Sequence, residues 1–189
     1  MSIRRPPNSA FWFRTTSTQQ TVELGEQFAT VIKDIMQTQS HSVCVAANGF
    51  RDRGKTTFLY GIIKAFADAD KEEYTGTQVG AGPRVYLKDT ANGFVLSYDA
   101  YTYCYRNPMD LLKPGMSRKG VICVEHPQYA GLEENGLRAD FSIEVVQDSG
   151  FDFNSSRRIS IQPIAEHLHR ITLNRFLQTA SKFSLDCVR

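Results

Sequence analysis

Lys55 and Thr56 stand at the end of "GFRDRGKTT", residues 49 to 57, directly after the apolar run "SVCVAAN". The stretch fits Gly-x-x-x-x-Gly-Lys-Ser/Thr, a loop in which successive backbone N–H groups point at a phosphate chain and a helix N-terminus adds partial positive charge. Gly49 and Gly54 occupy the points where the backbone turns tightly or approaches the ligand closely. In that chemistry Lys55 reaches the outer phosphates and the Thr56 hydroxyl binds Mg²⁺. Thr57 follows as the next residue of the cradle. The middle of the loop is unusual. Asp52 sets a negative charge where a polyphosphate would lie, while Arg51 and Arg53 can offset it, unless all three side chains point outward.

Hydrolysis needs an acid as well. "VICVE" is an apolar strand ending in Glu125, the arrangement of a Walker-B carboxylate, which holds Mg²⁺ through water or orients the attacking water. The second candidate is Asp99 in "LSYDAYTYCYR", an acid in an aromatic strand. It is either exposed at an edge or held by a partner such as Lys55 or a metal. Tyr101, Tyr103 and Tyr105 would share one strand face, packing or facing solvent, and Arg106 is a surface charge or a phosphate contact. The four histidines show no metal-ligand spacing. Only His126 is close to the presumed site, and it is expected to face solvent.

These residues need a frame. "SVCVAAN" reads as a buried strand and "KTTFLYGIIKAFADA" as the helix after the loop, with Phe58, Ile62, Ala65 and Phe66 at helical spacing. "STQQTVELGEQFATVIKDIM" predicts an amphipathic helix capped by Ser17 or Thr18, with Val22, Phe28, Ile32 and Ile35 on its apolar face. "RVYLKDTANGFVLSYDAY" predicts a hairpin about "DTANG", and "NPMDLL" a short helix. "ADFSIEVVQDSG" and "SSRRISIQPI" read as a β pair, and "AEHLHRITLNRFLQTASKF" as a closing helix. "DADKEEYTGTQVGAGP" is an exposed loop. The expectation is a single-domain α/β P-loop NTPase fold, a central mixed β-sheet flanked by helices, over 15–189. Residues 1–14 are expected to form a flexible tail.

Composition sets outer bounds. The chain has 189 residues, 41% hydrophobic and 22% charged, which suits one substantial core. A formal charge of +2 argues for no particular partner. Cys44, Cys104, Cys123 and Cys187 form no Cys-x-x-Cys pair, so neither a zinc site nor a disulfide framework is expected. No apolar stretch approaches the roughly 20 residues that span a bilayer. The first residues carry three arginines and no acid before Glu23, but no amphipathic arginine helix. A cytoplasmic protein without membrane contact is the expectation.

Taken together, these stretches resemble the TsaE family, the small P-loop ATPases of bacterial tRNA threonylcarbamoyladenosine synthesis. "TTSTQQTVELGEQFATVI" is similar to the family's first helix. "GFRDRGKTTFLYGI" is similar to its Gly-Asp-Leu-Gly-Ala-Gly-Lys-Thr-Thr-Phe loop, with Gly61 at the offset of a family glycine. "VLSYDAY" resembles the His-Phe-Asp-Leu-Tyr-Arg strand, "NPMDL" the Asp-Pro-Glu-Glu-Leu turn, and "VICVEHPQ" the Val-Glu-Trp-Pro strand end. The order holds from about Thr15 to Ile161. The resemblance implies Gly49, Gly54, Lys55, Thr56 and Thr57 as the nucleotide cradle, with Arg53 beside them. It also implies Asp99 as the acid for hydrolysis and Glu125 as the Mg²⁺-linked acid. The implied cofactors are ATP and Mg²⁺.

Several positions depart from the pattern. Asp52 replaces a loop glycine, His126 the Trp, and Ser97 the His two residues before Asp99. Pro83 marks the family's Ser-Pro-Thr switch, with Gly82 and Arg84 in place of its hydroxyl residues. A shifted register would set Tyr101 against the family's Asp. The implied function is slow ATP hydrolysis that resets a partner complex transferring threonylcarbamoyl to tRNA, with the tRNA met only indirectly. Two other readings compete with it. One is a non-catalytic scaffold or regulatory binding protein on the same fold, and the weaker one is a small-molecule kinase.

Overall fold

A computed structural model describes residues 10–50, 53–69, 74, 85–101, 110, 112, 115, 117–132, 134, 138–147, 156–179 and 185–186. Eight strands form one sheet. In chain order they are β1 (Phe11–Thr15), β2 (Val43–Asn48), β3 (Val85–Thr90), β4 (Gly93–Asp99), β5 (Gly120–Glu125), β6 (Phe141–Gln147), β7 (Arg157–Pro163) and β8 (Leu185–Asp186). Among the described residues three long helices accompany them: α1 (Thr18–Thr38), α2 (Lys55–Ala67) and α3 (Glu166–Thr179). The spatial order is β3-β4-β5-β2-β6-β7-β1-β8. The four central strands β4, β5, β2 and β6 run parallel, and the outer pairings are antiparallel. This is the mixed α/β sheet expected.

The parallel strands are hydrophobic on both faces because both are covered. On one face Val45, Ala47, Val121, Cys123, Ile143 and Ile159 pack against Leu24, Phe28 and Ile32 of α1 and Phe58, Ile62 and Phe66 of α2. On the other, Leu96, Tyr98, Ile122 and Val124 meet Leu112, Ala130 and Leu132. Alternation along each strand therefore assigns every side chain to a layer. Asp99 and Glu125 fall on the face occupied by α2.

α1 begins at the expected cap. Ser17 holds an extended backbone, and its hydroxyl accepts from the Gln20 N–H at 3.1 Å. α1 and α2 cross at two glycines. A Cβ on Gly25 would lie 2.2 Å from the Phe58 carbonyl oxygen, and one on Gly61 would lie 2.1 Å from that of Val22. Only hydrogen at both positions lets the backbones touch, and this contact fixes the angle at which α2 leaves the loop.

The expected tail is too long. Phe11–Thr15 form a strand inside the sheet, pairing with β7 and β8. Phe11 and Phe13 are buried against Phe176 of α3, and that apolar burial draws the segment into the fold. β8 is an addition to the expected elements. The hairpin about "DTANG" is present as β3 and β4, and the β pair as β6 and β7. β4 ends at Asp99, so Tyr101 lies beyond the strand rather than in it. Asn107, Pro108, Pro83, Gly82, Arg84, Tyr103, Tyr105, Arg106, Cys104 and Cys187 lie outside the described residues, as does most of the polar loop before β3.

Candidate functional site: a phosphate loop facing two strand-end acids

β2 delivers the chain to Gly49, whose φ of +111° belongs to the region that favours glycine. A Cβ there would also stand 3.1 Å from the Val145 carbonyl oxygen. The chain re-enters regular structure at Gly54, the N-cap of α2, with φ of +100°. Glycine supplies no capping side chain, and the Gly54 cap makes no side-chain hydrogen bond to the helix. The first-turn N–H groups are thus presented as an anion site with the helix dipole behind them.

Lys55 is 3% exposed. Its Nζ donates to the carbonyl oxygens of Gly49 at 3.1 Å and Phe50 at 2.6 Å. A buried ammonium must be satisfied, and here the loop's own carbonyls help to do it. Phe50, which carries one of them, is 83% exposed. Arg51 and Asp52 lie outside the described residues. Arg53 is turned toward β6, where its Nη1 donates to Gln147 Oε1 at 3.0 Å. Thr57 sits in the first turn of α2, half-buried.

The two acids end β5 and β4, the parallel strands that lie next to β2 on one side. Ala47 on β2 is the register partner of Glu125 on β5, and Glu125 is the register partner of Asp99 on β4. Both carboxylates therefore share one face at the carboxyl edge of the sheet, where α/β folds bind ligands. Glu125 is 5% exposed, and its Oε2 accepts from the Thr56 hydroxyl at 3.0 Å. Asp99 is half-buried and its Oδ1 accepts from the Tyr101 N–H at 3.1 Å. The register sets Asp99, rather than Tyr101, beside Glu125.

The donor set suits Mg²⁺. The Thr56 hydroxyl and Glu125 carboxylate are hard oxygen donors close enough to serve one cation. Mg²⁺ is ordinarily held by one or two protein oxygens plus substrate phosphates and water. Among the described residues there is no cluster of three or more His, Cys, Asp or Glu groups that could hold a metal by itself.

His126 does not face solvent. It is 8% exposed, with φ of +54°, and its N–H donates to the Ala47 carbonyl at 3.0 Å. Its ring lies 5.6 Å from that of Tyr101 and 6.3 Å from that of Tyr129. The three rings cluster immediately beyond the two acids, and apolar contact outweighs hydration of the imidazole. One neighbour of the loop carried no sequence signal beyond "RRISI": Arg157, buried at 4% exposure against Gly54. Two cavities, of about 480 and 310 Å³, lie on the opposite sheet face. Their floor includes Asn48, Ala46, Cys44 and Ser42 of β2 and the residue before it. They do not coincide with the loop, whose geometry and chemistry make it the candidate site.

No family model and no curated protein sequence matches the chain. Among solved structures it is similar to YdiB of Bacillus subtilis, with a TM-score of 0.60 and 17% identity. That match covers 91% of this chain and 97% of the other. The likeness shows the fold, a single-domain α/β architecture with a mixed sheet. Among the described residues no helix is long and apolar enough to cross a membrane.

Proposed function

We propose that the protein binds ATP with Mg²⁺ in the 49–57 loop and hydrolyses it slowly, as a TsaE-like protein. The observation that carries this reading is the contact between Thr56 and Glu125, 3.0 Å apart on two elements that meet only through the fold. A chance Gly-Lys-Thr turn would have no reason to face a buried strand-end acid on the adjacent parallel strand.

Each residue has a definite task. The first-turn N–H groups of α2 bind the phosphate oxygens, and Lys55 exchanges the Gly49 and Phe50 carbonyls for the outer phosphates. Thr56 and Glu125 hold Mg²⁺, which neutralises charge on the phosphates when bound. Asp99, beside Glu125 in register, orients the attacking water and takes up its proton as the terminal P–O bond breaks. Arg53 and Thr57 line the cradle, Arg53 from its position on Gln147. By resemblance, the ATP cycle resets a partner complex that transfers threonylcarbamoyl to tRNA. The protein does not touch the tRNA directly in this reading and works in the cytoplasm.

The test is calorimetric titration of Mg-ATP into the protein and into Lys55→Ala. Micromolar binding that the variant loses supports the reading, and the absence of binding to the unaltered protein overturns it. A second reading, a non-catalytic scaffold, is favoured by Lys55 being turned onto the loop's own carbonyls and by His126 standing where the family has Trp. It predicts nucleotide binding without turnover, or no binding, and a stable partner outside tRNA modification.

A further inference from the structure

We propose that Arg157 is a positioning residue of the phosphate loop. It is a buried cation from β7 that fixes the Gly54 turn and makes the loop's grip depend on how many phosphates the ligand carries. The inference rests on the reading of that loop as a nucleotide site.

Arg157 opens β7 and alternates with Ile159 and Ile161, so it faces the helix layer rather than the opposite face. It is 4% exposed. A Cβ built on Gly54 would stand 2.8 Å from Arg157 Nε, 3.0 Å from Cδ and 3.7 Å from Cζ. The Cδ–Nε stretch of the Arg157 side chain therefore occupies the space into which a side chain at position 54 would project. Gly54 is constrained twice: its φ of +100° excludes most side chains, and Arg157 fills the space one would need.

The surroundings anchor Arg157 from both sides. Across the sheet it is in register with Gln147 on β6 and Thr15 on β1. Gln147 accepts from Arg53, the residue before Gly54. Thr15 is hydrogen-bonded at 2.9 Å to Thr21, in the first turn of α1. Arg157 thus stands where the loop, β6, β1 and the start of α1 converge.

Charge gives the arrangement its consequence. Arg53, Lys55 and Arg157 bring three cationic side chains to one turn, and a guanidinium stays charged at every accessible pH. A polyphosphate supplies the opposite charge, and attraction to a fixed buried cation grows with the ligand's charge. A side chain that merely filled space would weaken all nucleotides alike.

The experiment compares Mg-ATP and Mg-ADP affinity of the unaltered protein, Arg157→Lys and Arg157→Gln by calorimetry, alongside thermal melting. Arg157→Gln is expected to lose about tenfold in ATP affinity and distinctly less in ADP affinity. Arg157→Lys, which keeps the charge without the plane, should fall between and carries the test if the glutamine variant does not fold. The melting cycle of Gly54→Ala with Arg157→Ala needs no nucleotide. Gly54→Ala should lower the melting temperature less when the arginine is gone. If the unaltered protein binds ATP but Arg157→Gln binds both nucleotides equally well, or loses both by the same factor, the inference fails alone. An additive melting cycle likewise overturns it. If the unaltered protein binds no ATP, the nucleotide reading falls, and the role given to Arg157 falls with it.

Discussion

Replacing Thr56 by Val tests the site in the absence of any ligand. Valine keeps the shape of threonine and removes the hydroxyl that donates to Glu125 Oε2 at 3.0 Å. Glu125 is 5% exposed, so water cannot readily restore the lost donor. A hydrogen bond to a charged group is worth about 1.5–3 kcal/mol, and leaving a buried acceptor short of a donor costs a similar amount. Thr56→Val should therefore be destabilised by about 1.5–3 kcal/mol. For a chain of this size each kcal/mol corresponds to about 2–4 °C, which gives a fall in melting temperature of about 3–12 °C. Thr56→Ser keeps the donor and loses one half-buried methyl, so its loss should stay below about 1 kcal/mol. In a Glu125→Ala background the Thr56→Val effect should shrink to about 0.5 kcal/mol or less, because the acceptor is gone. The assay is urea unfolding of these variants and the unaltered protein in one buffer. Equal stability of Thr56→Val and the unaltered protein would refute the buried bond, and with it the view that Thr56 and Glu125 form one unit.

Three further outcomes follow from other contacts. Gly25→Ala places a Cβ 2.2 Å from the Phe58 carbonyl oxygen, so the helices must separate. A loss of about 3 kcal/mol is expected in urea unfolding, and a neutral result would show that α1 and α2 can slide. Burial, with the Asp140 carboxylate adding to it, pushes the Cys44 thiol up to about 12. Burial also raises Cys123 far above the ordinary thiol range. Iodoacetamide near pH 7.5 should therefore leave both unmodified in the folded protein and label both in denaturant, as peptide mapping would read. The Asp140 carboxyl is raised mainly by burial, against the Cys44 N–H and the nearby His41 and His167, which lower it. The folded state thus holds that proton more tightly than the unfolded chain. Its stabilising contribution is complete below the ordinary carboxylate pKa and is lost as pH rises through the raised one. Asp140→Asn should melt at or above the unaltered protein near pH 7, with the advantage gone below about pH 4. A lower melting temperature at pH 7 would contradict the sign.

Much of this was legible because the chemistry is local. The strand, loop and helix around Lys55 lie in one continuous stretch, so spacing alone orders them. Glu125 is legible because "GVICV" is apolar at every position, so the strand is buried on both faces and its charge can only stand at the end. The sheet's outer half was less legible. "FWFRT" holds Arg14 and Thr15 and follows a run of arginines and prolines, so local composition favours a tail. Only the distant Phe176, which receives Phe11 and Phe13, makes it a strand. His126 misled for a similar reason: a histidine after a strand end reads as polar, whereas Tyr101 and Tyr129 enclose it. Arg157 was invisible as a loop residue because about 100 residues separate it from Gly54, and nothing in "RRISI" says which arginine faces inward. The β6–β7 register decides that.

On the proposed reading, ligand binding at this loop would be an exchange of partners rather than the filling of an open socket. Lys55 already bonds two carbonyls, and the Thr56 hydroxyl already bonds Glu125. A phosphate chain must replace those contacts, so the lysine's net contribution is smaller than its charge suggests. What an incoming nucleotide gains outright is the uncapped first turn of α2 and the field of the surrounding cations. The exchange also has a direction. When Lys55 leaves the Phe50 carbonyl, the peptide that carries an 83% exposed phenylalanine loses that hydrogen-bond donor. Among the described residues, the most exposed aromatic one near the site is therefore bonded, through its own backbone, to the residue proposed to meet the phosphates. A Phe50→Trp variant should consequently change its fluorescence on addition of Mg-ATP, and the change should disappear when Lys55→Ala is added. An emission spectrum that ignores Mg-ATP under conditions where calorimetry shows binding would mean that the loop closes on the nucleotide without releasing that carbonyl.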